Sequence, residues 1–478
     1  MSSLVLFTRD LRVHDHPALD AASRAGEPCV PLFVLDQRML HRSANRSRFL
    51  MQSLVDLDRS LTRLGSPLVV REGDAVARTL HVVAEAGIDQ VHLTADVSRL
   101  AQQRERAMRE ALAAHGVVLH VHPGNAVVEP ADVAPPGKAM YSVFTPYHRA
   151  WAQVPRRESL APPPRLVGPV VDLDPGVRPD PSGTRPDSPH LPEGGEAAAR
   201  DRLTSYLAIG AARYAGLRND LAADATSRLS PYLRFGCLSA NEVVARASAV
   251  PGAGELVPQI AWRDFYRQLL AHDPTIAWRD FRDPPGDVPP QPEHADDLFE
   301  RWHLGRTGIP LVDAGMRQLR AEGFMHNRAR MVTASFLTRR LGIAWQRGAE
   351  HFLRWLVDGD PANNSGGWQW VAGTGTDPRR SRSFNPVRQA ERFDPDGAYV
   401  RRYVDELADV PAPQIFAPWW DADPLEATGY PAPILEVPST EPKRLTRACC
   451  PCRCDDHRCR SRSSRSPSSL ALRTAKSR

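Results

Sequence analysis

Eleven prolines fall between Pro155 and Pro192. No other feature constrains the fold as strongly. Proline fixes φ and removes a backbone donor, so neither a helix nor a central strand runs through such a stretch. The segment reads as a long connector crossing the surface between two differently built parts.

Before it, strands and helices alternate. Ser3–Phe7, Cys29–Leu35, Leu68–Arg71, Val91–Thr94 and Val117–Val121 read as strands. Ser47–Leu64, Ala75–Ala86 and Ser98–His115 read as helices between them, the first with a stripe of leucines and Gly65 past its end. This order predicts a parallel sheet with helices on both faces, a Rossmann-like α/β arrangement that binds ligands at the carboxyl ends of its strands. Neither of the common glycine-rich phosphate loops occurs. After the connector, Leu311–Leu319, Asn327–Arg340 and Ala349–Leu356 carry helix-spaced apolar residues, which predicts a large all-α domain. The expected organisation is therefore an α/β domain over 1–130, a connector over 131–195, a helical domain over 196–442 and a tail over 443–478.

In the tail, Cys449, Cys450, Cys452, Cys454 and Cys459 stand among Arg, Ser and Pro. Their spacing does not suit a closed zinc site, so a disordered tail and no metal are expected. The run Leu4–Phe7 is too short for a signal peptide or a membrane span, which points to a cytoplasmic chain with no membrane partner. The charge balance, 61 basic against 56 acidic residues, neither demands nor excludes nucleic acid.

Four segments carry unusual residues. Thr226-Ser227-Arg228-Leu229-Ser230-Pro231-Tyr232-Leu233 groups hydroxyls ahead of a helix, which suits an anion or simply a helix cap. Trp262-Arg263-Asp264-Phe265-Tyr266 and Met325-His326-Asn327-Arg328-Ala329-Arg330-Met331 mix large and charged residues. The fourth runs from Asp358 and Asp360 through Asn363-Asn364 and Gly366-Gly367 to Trp368-Gln369-Trp370. Singly, each admits a plain reading: packing tryptophans, a turn at the Gly-Gly pair, a solvated arginine. Together they place Arg, Asn, Asp and Trp where a helical core would not want them.

With these segments in this order, the chain resembles the DNA photolyase/cryptochrome family over roughly residues 3–440, and most closely its bacterial cyclobutane pyrimidine dimer photolyases. The run Leu4–Arg12, followed by Asp15-His16-Pro17-Ala18-Leu19, is similar to the family's amino-terminal motif. The resemblance implies a helical domain holding FAD. Tyr214, Thr226, Ser227, Arg228, Leu229 and Ser230 match the phosphate and ribose side, and Arg263, Arg330, Asp358, Asp360 and Asn364 the flavin surroundings. Trp262 and Trp370 match the walls of a pocket for a flipped-out dimer, lined also by Gln259, Asn327 and Met331. Trp368 and Trp345 match the inner and middle members of a tryptophan chain supplying electrons to the flavin. Arg218, Arg328 and Arg382 are the candidates for DNA backbone contacts. His326 reads as structural.

The activity implied is light-dependent repair of UV-damaged DNA: photoexcited reduced FAD lends the dimer an electron, the cyclobutane ring opens and the electron returns. A monomer, nucleoid-associated when bound to DNA, is expected. Phe33–Arg38 is similar to deazaflavin-binding members, which implies 8-hydroxy-5-deazaflavin rather than methenyltetrahydrofolate as a second, antenna chromophore. The (6-4) photolyases carry histidines where this chain has Asn327 and Met331, so cyclobutane dimers are the expected lesion. The chain departs from the family at Gln259, where Glu is usual, at Phe324, where Trp is frequent, and at Pro378–Arg382, which lacks aromatics. No clear match exists for the outer tryptophan around Pro285–Pro292. A cryptochrome-like photoreceptor and a non-catalytic DNA-binding flavoprotein whose tail recruits partners stay open as alternatives.

Overall fold

The computed structural model describes residues 2–24, 26–286, 290–376, 383–420 and 428–435. The expected tail at 443–478 and Arg382 lie outside the described residues.

Five strands, β1 (Ser3–Phe7), β2 (Cys29–Leu35), β3 (Val69–Glu72), β4 (Gln90–Thr94) and β5 (Val118–His122), form one parallel sheet in the order β3-β2-β1-β4-β5. The central β1 is buried along its whole length. Its alternate residues feed two cores: Leu4 and Leu6 on one face, Val5 and Phe7 on the other. Helices cover both faces: α1 (Pro17–Arg24), α2 (Ala44–Leu64), α3 (Ala75–Ala86) and α4 (Arg99–Ala113). Helix α2 begins a turn earlier than its leucine stripe suggests, because Ser43 accepts the amide of Arg46. It stops at Gly65, whose φ of 109° only glycine adopts freely. Helix α1 was not anticipated; it starts at a proline and is only 8 residues long.

The connector does more than cross the surface. Leu166 donates its amide to Leu64 O, and Cys29 donates to Val167 O. Further on, Val70 of β3 donates to Pro175 O and receives the amide of Val177. Leu166 and Leu173 are buried. The expected connector range 131–195 also contains a helix, α5 (Phe144–Gln153), with Tyr147 and Trp151 buried. The dense prolines begin only at Pro155, and the segment before them keeps an aromatic face that packs.

Beyond the connector the chain is helical, as its periodicity predicts. The helices that build the site are α6 (Ser230–Phe235), α7 (Val257–His272), α8 (Pro310–Glu322), α9 (Asn327–Ser335), α10 (Trp345–Trp355) and α11 (Pro361–Ala372). The core on the Val5 and Phe7 face continues into Phe235, Ile260 and Phe265 of these helices. Met1–Ile434 accordingly forms one compact unit. Among the described residues no helix is long and apolar enough to cross a membrane, and no group of three His, Cys, Asp or Glu could hold a metal.

Candidate functional site

Helices α6, α7, α9, α10 and α11 enclose a cavity of about 460 Å³, a size suited to a cofactor or small ligand. It gathers residues distant in sequence: Ser227, Leu229 and Ser230; Gln259, Trp262 and Arg263; Asn327, Arg330 and Met331; Asp358, Asp360, Asn364, Trp368 and Trp370. Gln259 and Asn327 are exposed and mark the open side, whereas Asp358, Asp360 and Trp368 are buried.

The buried side is charged and largely satisfied. Arg330 Nη2 lies 2.8 Å from Asp358 Oδ2, and the same oxygen accepts the Ser230 hydroxyl at 2.6 Å. The hydroxyl thus serves a carboxylate rather than capping α6. Asp360 caps α11 by accepting the amide of Asn363 at 3.0 Å. It pairs with Arg9, which reaches in from the end of β1. Burial alone would raise Asp360, but Arg9, Arg234 and Arg267 outweigh it and hold the carboxyl well below the usual range. Burial, with Arg267 alongside, brings the Arg263 guanidinium down to about 10, so it stays charged at neutral pH. Asn364 donates to Ala349 O at 2.9 Å.

Two features leave room for a ligand. The buried Asp358 Oδ1 has no partner among the described residues. The Gly-Gly pair lies inside α11 rather than in a turn. A Cβ on Gly366 would stand 2.1 Å from the Tyr266 ring, so glycine lets α11 close on α7. A Cβ on Gly367 would meet nothing within 4 Å, so this helix face opens onto the cavity it lines.

At the aromatic walls, Trp262 is backed face to face by Phe144 of α5, and Trp370 stacks at 6.4 Å on Phe384. Asn327 Nδ2 lies 3.7 Å from Met331 Sδ, one turn along α9. His326 caps α9 by accepting the amide of Arg328 at 3.1 Å, and burial lowers it to about 4, so it is neutral at pH 7.

Other candidates stand away from the cavity. Trp345 donates its indole N–H to Asp280 at 2.6 Å. Trp368 packs against Phe352 and over Gly348, three residues along α10 from Trp345. Arg228, at a left-handed φ of 51°, is occupied by Asp224 and Glu322. Tyr214 is half-buried against the core, and burial raises its hydroxyl pKa. The Thr226 hydroxyl is buried without a partner among the described residues, in a loop held by Arg202 donating to Thr226 O and Ser227 O. Arg218 pairs with Glu255 on the surface; Arg328 donates to Asn219 and lies over Phe393. Nothing in the local sequence around Phe144, Gly367 or Arg9 signals their place at the cavity. Arg9 stood inside a quoted motif, but nothing local marks its distant partner.

Residues 3–166 match the family model described as DNA photolyase, and residues 256–448 the one described as the FAD binding domain of DNA photolyase. The chain is 47% identical over 454 residues to the deoxyribodipyrimidine photo-lyase of Streptomyces griseus, covering 91% of this chain and 96% of that protein. It is 34% identical to cryptochrome DASH of Gloeobacter violaceus, over 91% of this chain and 93% of that one. Its fold is similar to the crystal structure of a bacterial class III photolyase from Agrobacterium tumefaciens, with a TM-score of 0.84 at 32% identity, covering 91% of this chain and 94% of that chain. A cavity lined by paired buried charges and tryptophan walls, in a chain alike over nine-tenths of its length, has one family explanation: this protein belongs to the DNA photolyase family.

Proposed function

We propose that this chain repairs UV-damaged DNA by light-driven splitting of cyclobutane pyrimidine dimers. The observation carrying this reading is one cavity that joins a charged, buried side to two tryptophans near an open side. A flipped-out pair of bases needs flat walls, and Trp262 and Trp370 offer them. Bound FAD supplies the electron chemistry, light absorption and reversible one-electron donation. The chain's residues bind and orient. Arg330 and Asp358 form a compensated pair beside the unpartnered Asp358 Oδ1. Gly367 leaves the α11 face open to a flat ring. Gln259, exposed at the open side, brings an acceptor and a donor to a pyrimidine edge.

Ser227, Leu229 and Ser230 lie toward the phosphates in this reading, with Tyr214, Thr226 and Arg228 as a supporting layer. Arg218, Arg328 and Arg382 meet the DNA backbone. The first two must exchange present partners to do so. Asn327 and Met331 offer no imidazolium, so (6-4) adducts are not substrates. An 8-hydroxy-5-deazaflavin antenna completes the assignment. The enzyme works as a cytoplasmic monomer on nucleoid DNA.

The test illuminates the reduced protein with oligonucleotides carrying either a cyclobutane dimer or a (6-4) adduct. Light-dependent loss of the dimer alone is expected. Retention of both lesions would favour signalling, as for a cryptochrome-like photoreceptor.

A further inference from the structure

One guanidinium joins the sheet to the cavity. Arg9 sits just past β1, and its three nitrogens take separate partners. Nη2 lies 2.5 Å from Asp360 Oδ2, Nη1 lies 3.2 Å from Asp96 Oδ2 beyond β4, and Nε donates to Arg234 O at 3.2 Å. Asp96 Oδ1 pairs in turn with Arg267 of α7 at 3.2 Å. The other Asp360 oxygen accepts both the backbone and side-chain N–H groups of Asn363, at 3.0 and 2.9 Å. The Arg9 backbone is held against α6: a Cβ on Gly236, just after α6, would stand 1.9 Å from its carbonyl oxygen. Strands β1 and β4 adjoin where the sheet's strand order reverses, the crevice in which doubly wound folds usually place a ligand. Here protein side chains from both halves meet in it.

We propose that Arg9 is a positioning residue for the flavin. By pairing with Asp360 it fixes the head of α11 and offsets a carboxylate lining the cavity, so the α/β half sets how tightly the flavin binds and how readily it accepts electrons. This rests on reading the cavity as the flavin site. The physical ground is that a buried carboxylate without its counter-ion repels an electron added nearby, and low dielectric strengthens the effect. Arg234 and Arg267 also face Asp360, but Arg234 Nε donates to Gly359 O at 2.8 Å and Arg267 is held by Asp96. Neither replaces the contact made by Arg9.

The experiment uses the full chain and four variants: Arg9→Gln, Arg9→Lys, Asp360→Asn and the double Arg9→Gln/Asp360→Asn. The readouts are the FAD dissociation constant, the flavin midpoint potential in the dark, and amide exchange in the first turn of α11 on FAD-free protein. Arg9→Gln is expected to weaken FAD binding about tenfold or more, as loss of one partner of a buried pair requires. It should also lower the potential and speed exchange. Arg9→Lys keeps the charge and holds the potential near the parent's. The double variant recovers the potential. Parental potential, affinity and exchange in Arg9→Gln would overturn the proposal. Should Arg9→Gln fail to fold, Asp360→Asn decides. A raised potential supports the proposal, and an unchanged one sinks it. If the parent itself retains no FAD, the cavity reading falls, and the exchange rates still decide whether Arg9 clamps α11.

Discussion

Phe144 lies flat against Trp262, with ring centres 3.7 Å apart and planes 6° apart. The wall of the cavity is therefore two rings thick, and its outer, backing ring comes from α5, upstream of the helical part. Aromatic pairs of this kind contribute about 0.5–1.5 kcal/mol beyond their buried area. Phe144→Ala should therefore weaken binding of dimer-containing DNA roughly 2- to 12-fold while the bound FAD spectrum stays unchanged. Titration of labelled oligonucleotide against parent and variant checks both. Equal affinities would show that Trp262 does not need its backing.

Half-buried Arg330 pairs with the buried Asp358 at the cavity. Arg330→Met leaves a carboxylate without its counter-ion, which costs about 3–5 kcal/mol. We expect a lower Tm and a purified protein largely free of FAD. A variant with parental Tm and parental flavin content would show that the Ser230 hydroxyl alone satisfies Asp358.

Trp368 is buried against Phe352 and Trp302, with ring centres at 4.9 and 6.2 Å. In the proposed reading, with FAD in the cavity, it is the first step of an electron path outward through α10. Trp368→Phe should slow light-driven FAD reduction sharply, and chemically reduced enzyme should still repair. Equal photoreduction in parent and variant would exclude this route.

Gln259 stands exposed on the open side of the cavity. A neutral hydrogen bond contributes about 1 kcal/mol, against roughly 1.5–3 kcal/mol for one to a charged group. Gln259→Ala should therefore lower the repair yield per absorbed photon more than the affinity for damaged DNA, and Gln259→Glu should keep dimer repair. Quantum yield and dissociation constant, measured side by side, separate the two effects. No change in either would place Gln259 outside the substrate contacts.

Burial lowers His326 to about 4 and His351 to about 3, so both are neutral in the folded chain near neutral pH. Unfolded, each titrates near 6.5, so the unfolded state binds more protons as the pH falls below that value. Stability is full above about 6.5 and declines by roughly 1.4 kcal/mol per pH unit for each histidine between there and about 4. Chemical denaturation from pH 7.5 to 4.5 should show the slope, and His351→Phe should flatten it. A variant as acid-sensitive as the parent would mean that other groups dominate.

Much of the α/β half was legible because its signals are local. The strands are short apolar runs, and the helices Ala75–Ala86 and Arg99–Ala113 start at or within one residue of where the pattern places them, capped by Asp74 and Ser98. The cavity was legible only in part. The family resemblance points to Trp262 and Arg263, yet nothing local shows that Phe144 lies against that tryptophan. Gly366-Gly367 read as a turn because glycine disfavours helix interiors; the reason it sits in one, the Tyr266 ring, is a hundred residues away. The Arg9–Asp360 pair spans 351 positions, and no window on the sequence reaches that far.

The bonds between Val70 and residues Pro175 and Val177 have a colloidal consequence. Strand β3 ends the sheet, and an uncovered edge strand is a template on which another copy can add its own strand. The connector occupies part of that edge with backbone of the same chain, and its prolines cannot pass the ladder outward to a neighbour. A segment that reads as mere spacer thus blocks part of this edge against a neighbouring molecule, and loosening it would first appear as light scattering rather than as lost repair.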